Sequence, residues 1–261
     1  MGGRGPQGYR DRVSHESWRS LVFIDLDTTP GQDDESAVRR AGEQVKCLAG
    51  EGALLVPCSL RTRAQLERAL RAHDLHVPFI VEGGSAACVP VKHGGSIRLA
   101  AGEGSAYDRL EFGPVYGQVV RTLRSAAARL AVAIRSFSDM TVEEVATAQG
   151  MPLLAARLAM HREHSEPFMY ADGRGSDAAR LVRALHTAGL RVREHGGWSY
   201  AGGTMSYQPA VRALRQWFAR QGFHVSTTGL GSADGWLRDA VDQYVVLPPD
   251  GAESGGTTWI I

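Results

Sequence analysis

Unbroken apolar runs alternate with amphipathic segments at the start of this chain, and this alternation constrains the fold more than any other feature. The runs LVFID, ALLVPC and PFIV predict buried strands, and the segments between them carry apolar residues at helical spacing. Such strands form a parallel sheet covered on both faces, and ligands bind beyond their carboxyl ends. Asp25, Ser59 and Glu82 stand at those ends. The sequence therefore predicts a doubly wound α/β core with a ligand site beside these residues.

The alternation of strands and helices is interrupted in the middle of the chain, where short strands and consecutive helices predict an inserted α+β domain. Thr141 and Glu144 have the spacing of a capping box, and Gly150 follows as a helix stop. An inserted domain above the strand ends is well placed to exclude water as a lid. We expect a polar tail at 1–19, a core at 20–85 and 201–261, and a cap at 86–200.

Composition argues against several classes of partner. The chain has 261 residues and a formal net charge of +1, without a polybasic run, so binding to nucleic acid or an anionic membrane is not expected. No apolar run approaches the ~20 residues that cross a bilayer. Cys47, Cys58 and Cys88 lack metal-ligand spacing and predict reduced thiols in a cytoplasmic protein. The oligomeric state is left open.

Two carboxylates end the first strand, in the stretch LVFIDLDTTP. Asp and Thr often begin turns or cap helices, but the buried strand before them favours chemistry. Asp25, Asp27 and Thr29 resemble the first motif, Asp-x-Asp-x-Thr, of the haloacid dehalogenase (HAD) superfamily of phosphatases. The resemblance implies that Asp25 attacks phosphorus and that Asp27 is the general acid and base. It also implies Mg²⁺, which would relieve the repulsion between the carboxylates and the phosphate.

Ser59, at the end of the second predicted strand, resembles the second motif of this superfamily, a lone hydroxyl that holds a phosphate oxygen. The structural alternative is a simple helix cap. Arg61 and Arg63 follow on the ligand side of the sheet, where they are candidates for anion contact. Their alternative is a solvated first helical turn.

The segments VPCSLRTRAQ and PFIVEGGSAACVP are similar to the mannosyl-3-phosphoglycerate phosphatase family, in the Cof-type subgroup with a type IIB cap. LAMHREHSEPFMY strengthens the resemblance, because the family has an R-E-x-S-E-P-F signature in its cap. The resemblance implies that this signature reads the substrate beyond its phosphate, with Arg162 pairing with an anion. The implied substrate-binding residues are Glu82, Arg162, Glu163, Ser165 and Glu166. His161 and His164 flank the signature, and a solvated position is favoured over a metal site.

The second half of the family pattern is altered. Gln208, or its neighbour, stands where the family has a lysine that neutralises charge on the phosphate, and a neutral amide cannot supply that charge. Arg212 or Arg215 are candidates to compensate. The fourth motif is two residues short, in GLGSADGWLRDAVD, and places Asp234 as a metal ligand. The implied site is therefore Asp25, Asp27 and Asp234 for Mg²⁺, with Ser59, Arg61 and Gln208 at the phosphate.

These residues predict a Mg²⁺-dependent phosphatase for a small phosphorylated sugar or sugar acid, working through an aspartyl-phosphate. The alternative keeps the fold and abandons hydrolysis, as a ligand-binding or regulatory protein or as an enzyme for another reaction in a specialised biosynthetic pathway. The absent lysine and shortened fourth motif favour this alternative. Retention of both Asp25 and Asp27 favours the phosphatase.

Overall fold

The computed structural model describes residues 20–28, 34–49, 52–90, 107–171, 177–232, 235–247 and 259–260. The strands are β1 (Ser20–Asp25), β2 (Ala53–Cys58), β3 (Phe79–Val81), β4 (Ala86–Pro90), β5 (Tyr107–Glu111), β6 (Ile134–Ser136), β7 (Ser165–Tyr170), β8 (Arg191–His195), β9 (Trp198–Gly202), β10 (Ser226–Gly231), β11 (Gln243–Val246) and β12 (Trp259–Ile260). The helices are α1 (Asp34–Ala49), α2 (Arg63–Ala72), α3 (Tyr116–Leu130), α4 (Val142–Gln149), α5 (Leu153–Ala159), α6 (Ala178–Thr187) and α7 (Gln208–Arg220).

The core is built on one sheet with the strand order β12-β11-β10-β1-β2-β3-β4-β5. The strands from β11 to β3 run parallel, and β12, β4 and β5 pair antiparallel at the two edges. Neighbouring residues of β1 point to opposite faces, yet Phe23 and Ile24 are both fully buried. Both faces are therefore covered. The predicted doubly wound α/β class is confirmed.

The cap is built on a second sheet, β6-β7-β9-β8, in which every pair is antiparallel. Phe168 packs on one face with residues of α3 and α6, including Leu123 and Leu181. Trp198 packs on the other face with residues of α4 and α5, including Val145 and Ala156. The cap thus has an apolar layer on each side of its own sheet.

The predicted boundaries of α4 are confirmed by its caps. The hydroxyl of Thr141 accepts a hydrogen bond from the backbone N–H of Glu144 at 3.2 Å. The Glu144 carboxylate accepts a hydrogen bond from the backbone N–H of Thr141. Gly150 ends the helix at φ 63°, a left-handed conformation that glycine adopts without steric penalty.

The cap joins the core through two crossings that lie side by side, after β5 and after β9. A Cβ added to Gly203 would lie 2.8 Å from the Cα of Gly113, so glycine is required for this approach. The strands β4 and β5 hydrogen-bond in the core sheet, so the crossing follows β5 rather than residue 86, where the cap was expected to begin. None of the helices in the described ranges has the length and apolar character of a membrane span.

Candidate active site

Three strand ends bring polar side chains to one edge of the core sheet, as the sequence predicts. Asp25 ends β1, Ser59 follows β2 and Glu82 follows β3, and all three are buried. The parallel register pairs Asp25 with Cys58, so Ser59 lies one residue beyond the level of Asp25. The backbone N–H of Ser59 also donates to the carbonyl of Ile80 at 3.1 Å, which fixes the turn after β2 against β3.

The carboxylate of Asp25 is held at the floor of this edge. Its Oδ1 accepts a hydrogen bond from the backbone N–H of Asp27 at 3.0 Å. Burial, and then the negative charge of Asp27, raise the pKa of Asp25 to about 8. A negative charge at Asp25 is therefore costly here, and any group that brings positive charge beside it favours the ionised form.

The carboxylate of Asp27 points toward the turn between β2 and α2. Its Oδ1 accepts from the Ser59 hydroxyl at 2.5 Å and from Nη1 of Arg61 at 2.9 Å. Its Oδ2 accepts from the backbone N–H of Leu60 at 2.6 Å and lies 3.5 Å from the Tyr207 hydroxyl. These donors hold the carboxylate of Asp27 in one orientation.

Ser59 is not the cap of the following helix. Thr62 is the N-cap of α2 and forms a reciprocal capping box with Gln65. The Ser59 hydroxyl instead donates to Asp27 and accepts from the backbone N–H of Arg61 at 3.0 Å. The hydroxyl thus belongs to the polar cluster at the strand ends rather than to helix capping.

A cleft of about 510 Å³ opens above this cluster, between the core and the cap. Its core wall includes Asp27, Arg61 and Arg68, and its cap wall includes Arg162 and Tyr200. Three guanidinium groups thus line the cleft together with the carboxylate of Asp27. Guanidinium groups bind phosphate and carboxylate in fork geometry, so the cleft suits a small ligand with more than one anionic group.

Two relatives match this chain along most of their length. The glucosyl-3-phosphoglycerate/mannosyl-3-phosphoglycerate phosphatase of Methanococcoides burtonii is 29% identical over 236 residues, 89% of this chain and 86% of the relative. The phosphatase of the same name from Persephonella marina is 25% identical over 233 residues, 87% of this chain and 84% of the relative. The chain is a homologue of these phosphatases. The family resemblance seen in the sequence is confirmed.

The fold agrees with this homology. A haloacid dehalogenase-like hydrolase from Bacteroides thetaiotaomicron superposes with a TM-score of 0.53 at 13% identity, over 87% of this chain and 94% of that structure. This likeness shows the fold. No model of a protein family matches the sequence.

In this phosphatase homologue, the cap signature forms the joint between cap and core. The carboxylate of Glu82 accepts hydrogen bonds from the backbone N–H groups of Glu163 and His164, at 2.8 and 3.0 Å, and from the Ser165 hydroxyl at 2.7 Å. Arg162 lies 3.5 Å from the same carboxylate. In this arrangement Glu82 and Ser165 bind each other, whereas Arg162 and Pro167 of the signature also line the cleft.

The two other carboxylates of the signature are held by protein groups. Glu163 forms a forked ion pair with Arg63, at 2.9 and 3.2 Å, and accepts from Arg109 at 3.2 Å. Glu166 accepts from the Tyr116 hydroxyl and the backbone N–H of Ser138, both at 2.8 Å. Arg63 therefore contacts the cap rather than lying in a solvated helical turn, and contact of Glu163 and Glu166 with substrate stays a prediction.

The two histidines of the signature differ in burial. His161 is exposed, but His164 is buried, and its Nδ1 lies 3.1 Å from the carbonyl of Pro114 at the first crossing between core and cap. The expectation of a solvated His164 was therefore wrong, because this residue packs into the joint.

The position at which the family has its lysine, Gln208 or its neighbour, lies at the start of α7. Gln208 is exposed there, and its amide donates to the carbonyl of Asp239 at 3.5 Å. Arg212 is exposed, and Arg215 pairs with Asp242 at 2.9 Å. Thr29 and Asp234 lie outside the described residues.

Sequence reasoning missed Arg193, Tyr207 and Trp236. The guanidinium of Arg193 lies over the Trp236 ring at 3.7 Å, and Tyr207 packs beside that ring, with its hydroxyl near Asp27. The three come from β8, the start of α7 and the loop after β10, so no local spacing brings them together. The missing lysine was the signal available, because it implied that another cation was needed.

Proposed function

We propose that this chain is a phosphomonoester hydrolase for a small phosphorylated sugar or sugar acid. The observation that carries the proposal is the pair Asp25 and Asp27, placed at the end of β1 beside Ser59 and Arg61 and under a cap. The names of the homologous phosphatases support a substrate similar to glucosyl- or mannosyl-3-phosphoglycerate. The cleft supports this class, because Arg61, Arg68 and Arg162 suit a ligand with both a phosphate and a carboxylate.

The chain's own residues divide the chemistry between them. A carboxylate oxygen of Asp25 forms a bond to phosphorus while the bond from phosphorus to the ester oxygen breaks. Asp27 gives its proton to that leaving oxygen, so the sugar departs as an alcohol. A water molecule then attacks the aspartyl-phosphate, Asp27 takes the proton of that water, and Asp25 is released as a carboxylate together with phosphate.

Ser59 and Arg61 position these steps. The Ser59 hydroxyl and the guanidinium of Arg61 both donate to Oδ1 of Asp27, so they hold this carboxyl group in one orientation. The same two groups lie where hydrogen bonds to phosphate oxygens are expected. The cap excludes bulk water from the cleft, which strengthens these electrostatic contacts.

We propose Mg²⁺ as the cofactor. This hard cation takes oxygen ligands and keeps several waters, and the Asp25 carboxylate and the carbonyl of Asp27 are donors of the right type. When bound, the ion supplies positive charge that lets a carboxylate and a phosphate approach each other. Asp234, the third proposed ligand, lies outside the described residues. Among the residues that are described, no cluster of three or more His, Cys, Asp or Glu side chains forms by itself.

Phosphate release from a panel of sugar phosphates and phosphoglycerate conjugates, with and without Mg²⁺, tests the proposal. Asp25→Asn should lower kcat by a factor on the order of 10⁴ or more, since the bond-forming oxygen is lost. Asp177→Asn, at the start of α6 and remote from the cleft, is the matched control and should keep full activity. Undiminished release by Asp25→Asn contradicts the proposed mechanism.

The exposed Gln208 at the lysine position favours a second candidate, a binding or regulatory protein with the same fold. The two are separated by the same panel. Ligand-dependent thermal stabilisation without phosphate release supports the second candidate, whereas turnover that depends on Asp25 supports the first.

A further inference from the structure

The recess at the start of α7 contains a cation that the family pattern does not place there. This recess has a volume of about 290 Å³ and is lined by Gln208 and Arg193, together with Ser206, Gly235, Trp236, Asp239 and Ala240. Gln208, or its neighbour, stands at the position that the lysine has in the resembling family. Arg193 comes from β8 of the cap, about fifteen residues earlier in the chain. A guanidinium from one domain therefore occupies the recess in which the other domain lacks its lysine.

The core holds this guanidinium in place. It lies over the ring of Trp236 at 3.7 Å, which is the geometry of a cation–π contact. Its Nη2 also donates to the carbonyl of Met205 at 3.1 Å. Met205 precedes α7 and Trp236 follows β10, so both partners belong to the core. Among the described residues, no carboxylate forms an ion pair with Arg193, so these contacts position the charge without neutralising it.

The aromatic platform connects Arg193 to the carboxylates of β1. The Trp236 ring packs against the buried Tyr207 with 5.9 Å between ring centroids. The Tyr207 hydroxyl in turn lies 3.5 Å from Oδ2 of Asp27. Burial lowers the pKa of Arg193, whereas the neighbouring Tyr207 and Asp25 act in the opposite direction. Arg193 and Asp27 thus lie at the two ends of one chain of contacts that runs through Trp236 and Tyr207.

We propose that Arg193 supplies from the cap the positive charge that the missing lysine would supply from the core, and so stabilises the Asp25 carboxylate and the phosphoryl oxygens during transfer. This inference rests on the proposed phosphatase function. Arg193 forms no covalent bond and moves no proton in it. Since the charge is carried by β8, the full set of charges exists only while the cap rests on the core, which couples closure of the cleft to the chemistry.

Substitution of Arg193 tests the role directly. Arg193→Gln should lower kcat by a factor of about 10² to 10³ with a change in KM of less than about threefold, as for other charge-stabilising groups. Arg191→Gln removes the same charge from an exposed position of the same strand and is the matched control. Thermal unfolding verifies that both variants keep the fold. A kcat for Arg193→Gln within about threefold of the unmodified chain overturns the inference.

Restoring the charge distinguishes an electrostatic role from a structural one. In the Arg193→Gln background, Gln208→Lys places an ammonium group in the same recess and should recover kcat by at least about tenfold. Free guanidinium ion at millimolar concentration should likewise raise the kcat of Arg193→Ala and leave that of Arg191→Ala unchanged. If neither treatment recovers activity, Arg193 acts through packing, and the inference is wrong.

Failure of the inference is separable from failure of the proposed function. If the unmodified chain releases no phosphate from any substrate, binding of orthovanadate in the presence of Mg²⁺ is measured by calorimetry instead. Arg193→Gln should weaken that binding by at least about tenfold relative to Arg191→Gln. Equal affinities for the two variants overturn the inference, whatever the outcome for turnover.

Discussion

The hydroxyl of Ser165, in the cap, donates a 2.7 Å hydrogen bond to the carboxylate of Glu82, in the core. Glu82 is buried and has φ 49°, an unusual conformation for a residue other than glycine. The same carboxylate accepts the backbone N–H groups of Glu163 and His164. A single buried carboxylate thus receives three hydrogen bonds from the segment that begins β7, and it fixes the cap on the core.

Glu82→Gln should destabilise the fold by about 2–4 kcal/mol. The substitution removes the buried negative charge that lies beside Arg162. It also points an amide N–H group at neighbouring N–H and O–H donors. Urea unfolding measures the change. Glu194→Gln, on the exposed side of β8, is the control and should change stability by less than ~0.5 kcal/mol. Equal stability of the two variants contradicts the joint described here.

Thr62→Ala should cost about 1–2 kcal/mol, since Thr62 caps α2 and its hydroxyl donates to the carbonyl of Leu158 in the cap at 2.8 Å. The exposed Thr187→Ala, at the end of α6, removes a hydroxyl of the same kind from a position without contact between core and cap. Chemical denaturation compares the two. A loss at Thr187 as large as that at Thr62 argues against the capping role.

Ser59→Ala should lower kcat/KM by about 10- to 100-fold, because Asp27 loses the 2.5 Å donor that orients it. Steady-state kinetics on the best substrate of the panel measures the effect. Ser125→Ala, on an exposed position of α3, serves as the control and should behave as the unmodified chain. Full activity in Ser59→Ala removes this residue from the site.

Acid should weaken the contact between Glu163 and Arg63. Burial alone would raise the pKa of Glu163, but the hydrogen bonds and charge of Arg63, with Arg109, hold it below its ordinary 4.5. The folded state therefore favours the ionised form. The resulting stability is complete above pH 4.5 and is lost as the pH falls through the lower pKa of the folded state.

Unfolding of the unmodified chain and of Glu163→Gln, measured between pH 3 and pH 7, checks this sign. The unmodified chain should be more stable at pH 7, and the difference should shrink below pH 4.5. A difference that is constant across the range excludes Glu163 as the titrating group. Glu194→Gln provides the control profile and should follow the unmodified chain.

The sequence predicted the parallel core because β1 and β2 are apolar throughout, and the capping box of α4 because its spacing is local. It did not predict that β4 and β5 extend the core sheet. Their antiparallel pairing depends on which strand β4 lies beside after β3. The apolar segment AACVP would read as a strand whether it belonged to the core sheet or to the cap sheet. Strand identity is local, whereas sheet membership depends on the whole topology.

The residues of the candidate site also fall into two groups: those that the sequence pattern predicts and those that only the topology brings together. Asp25 and Ser59 stand at the ends of predicted strands, so their convergence follows from the sheet alone. Glu82 was expected to bind substrate, but its neighbours in space are set by the return of the cap about eighty residues later. Arg193 has no sequence signal of its own, because its partner Trp236 lies on a different element of a different domain.

The close contact of the two crossings at Gly113 and Gly203 restricts how the halves of the molecule can move. Because the two connectors touch at these glycines, we expect the cap to rotate about this contact rather than to slide along the core. If the cap turns about this contact, the Arg193 guanidinium on β8 moves relative to the Asp25 carboxylate on β1. Under the proposed role of Arg193, opening the cleft to substrate would also withdraw the charge that is used in phosphoryl transfer.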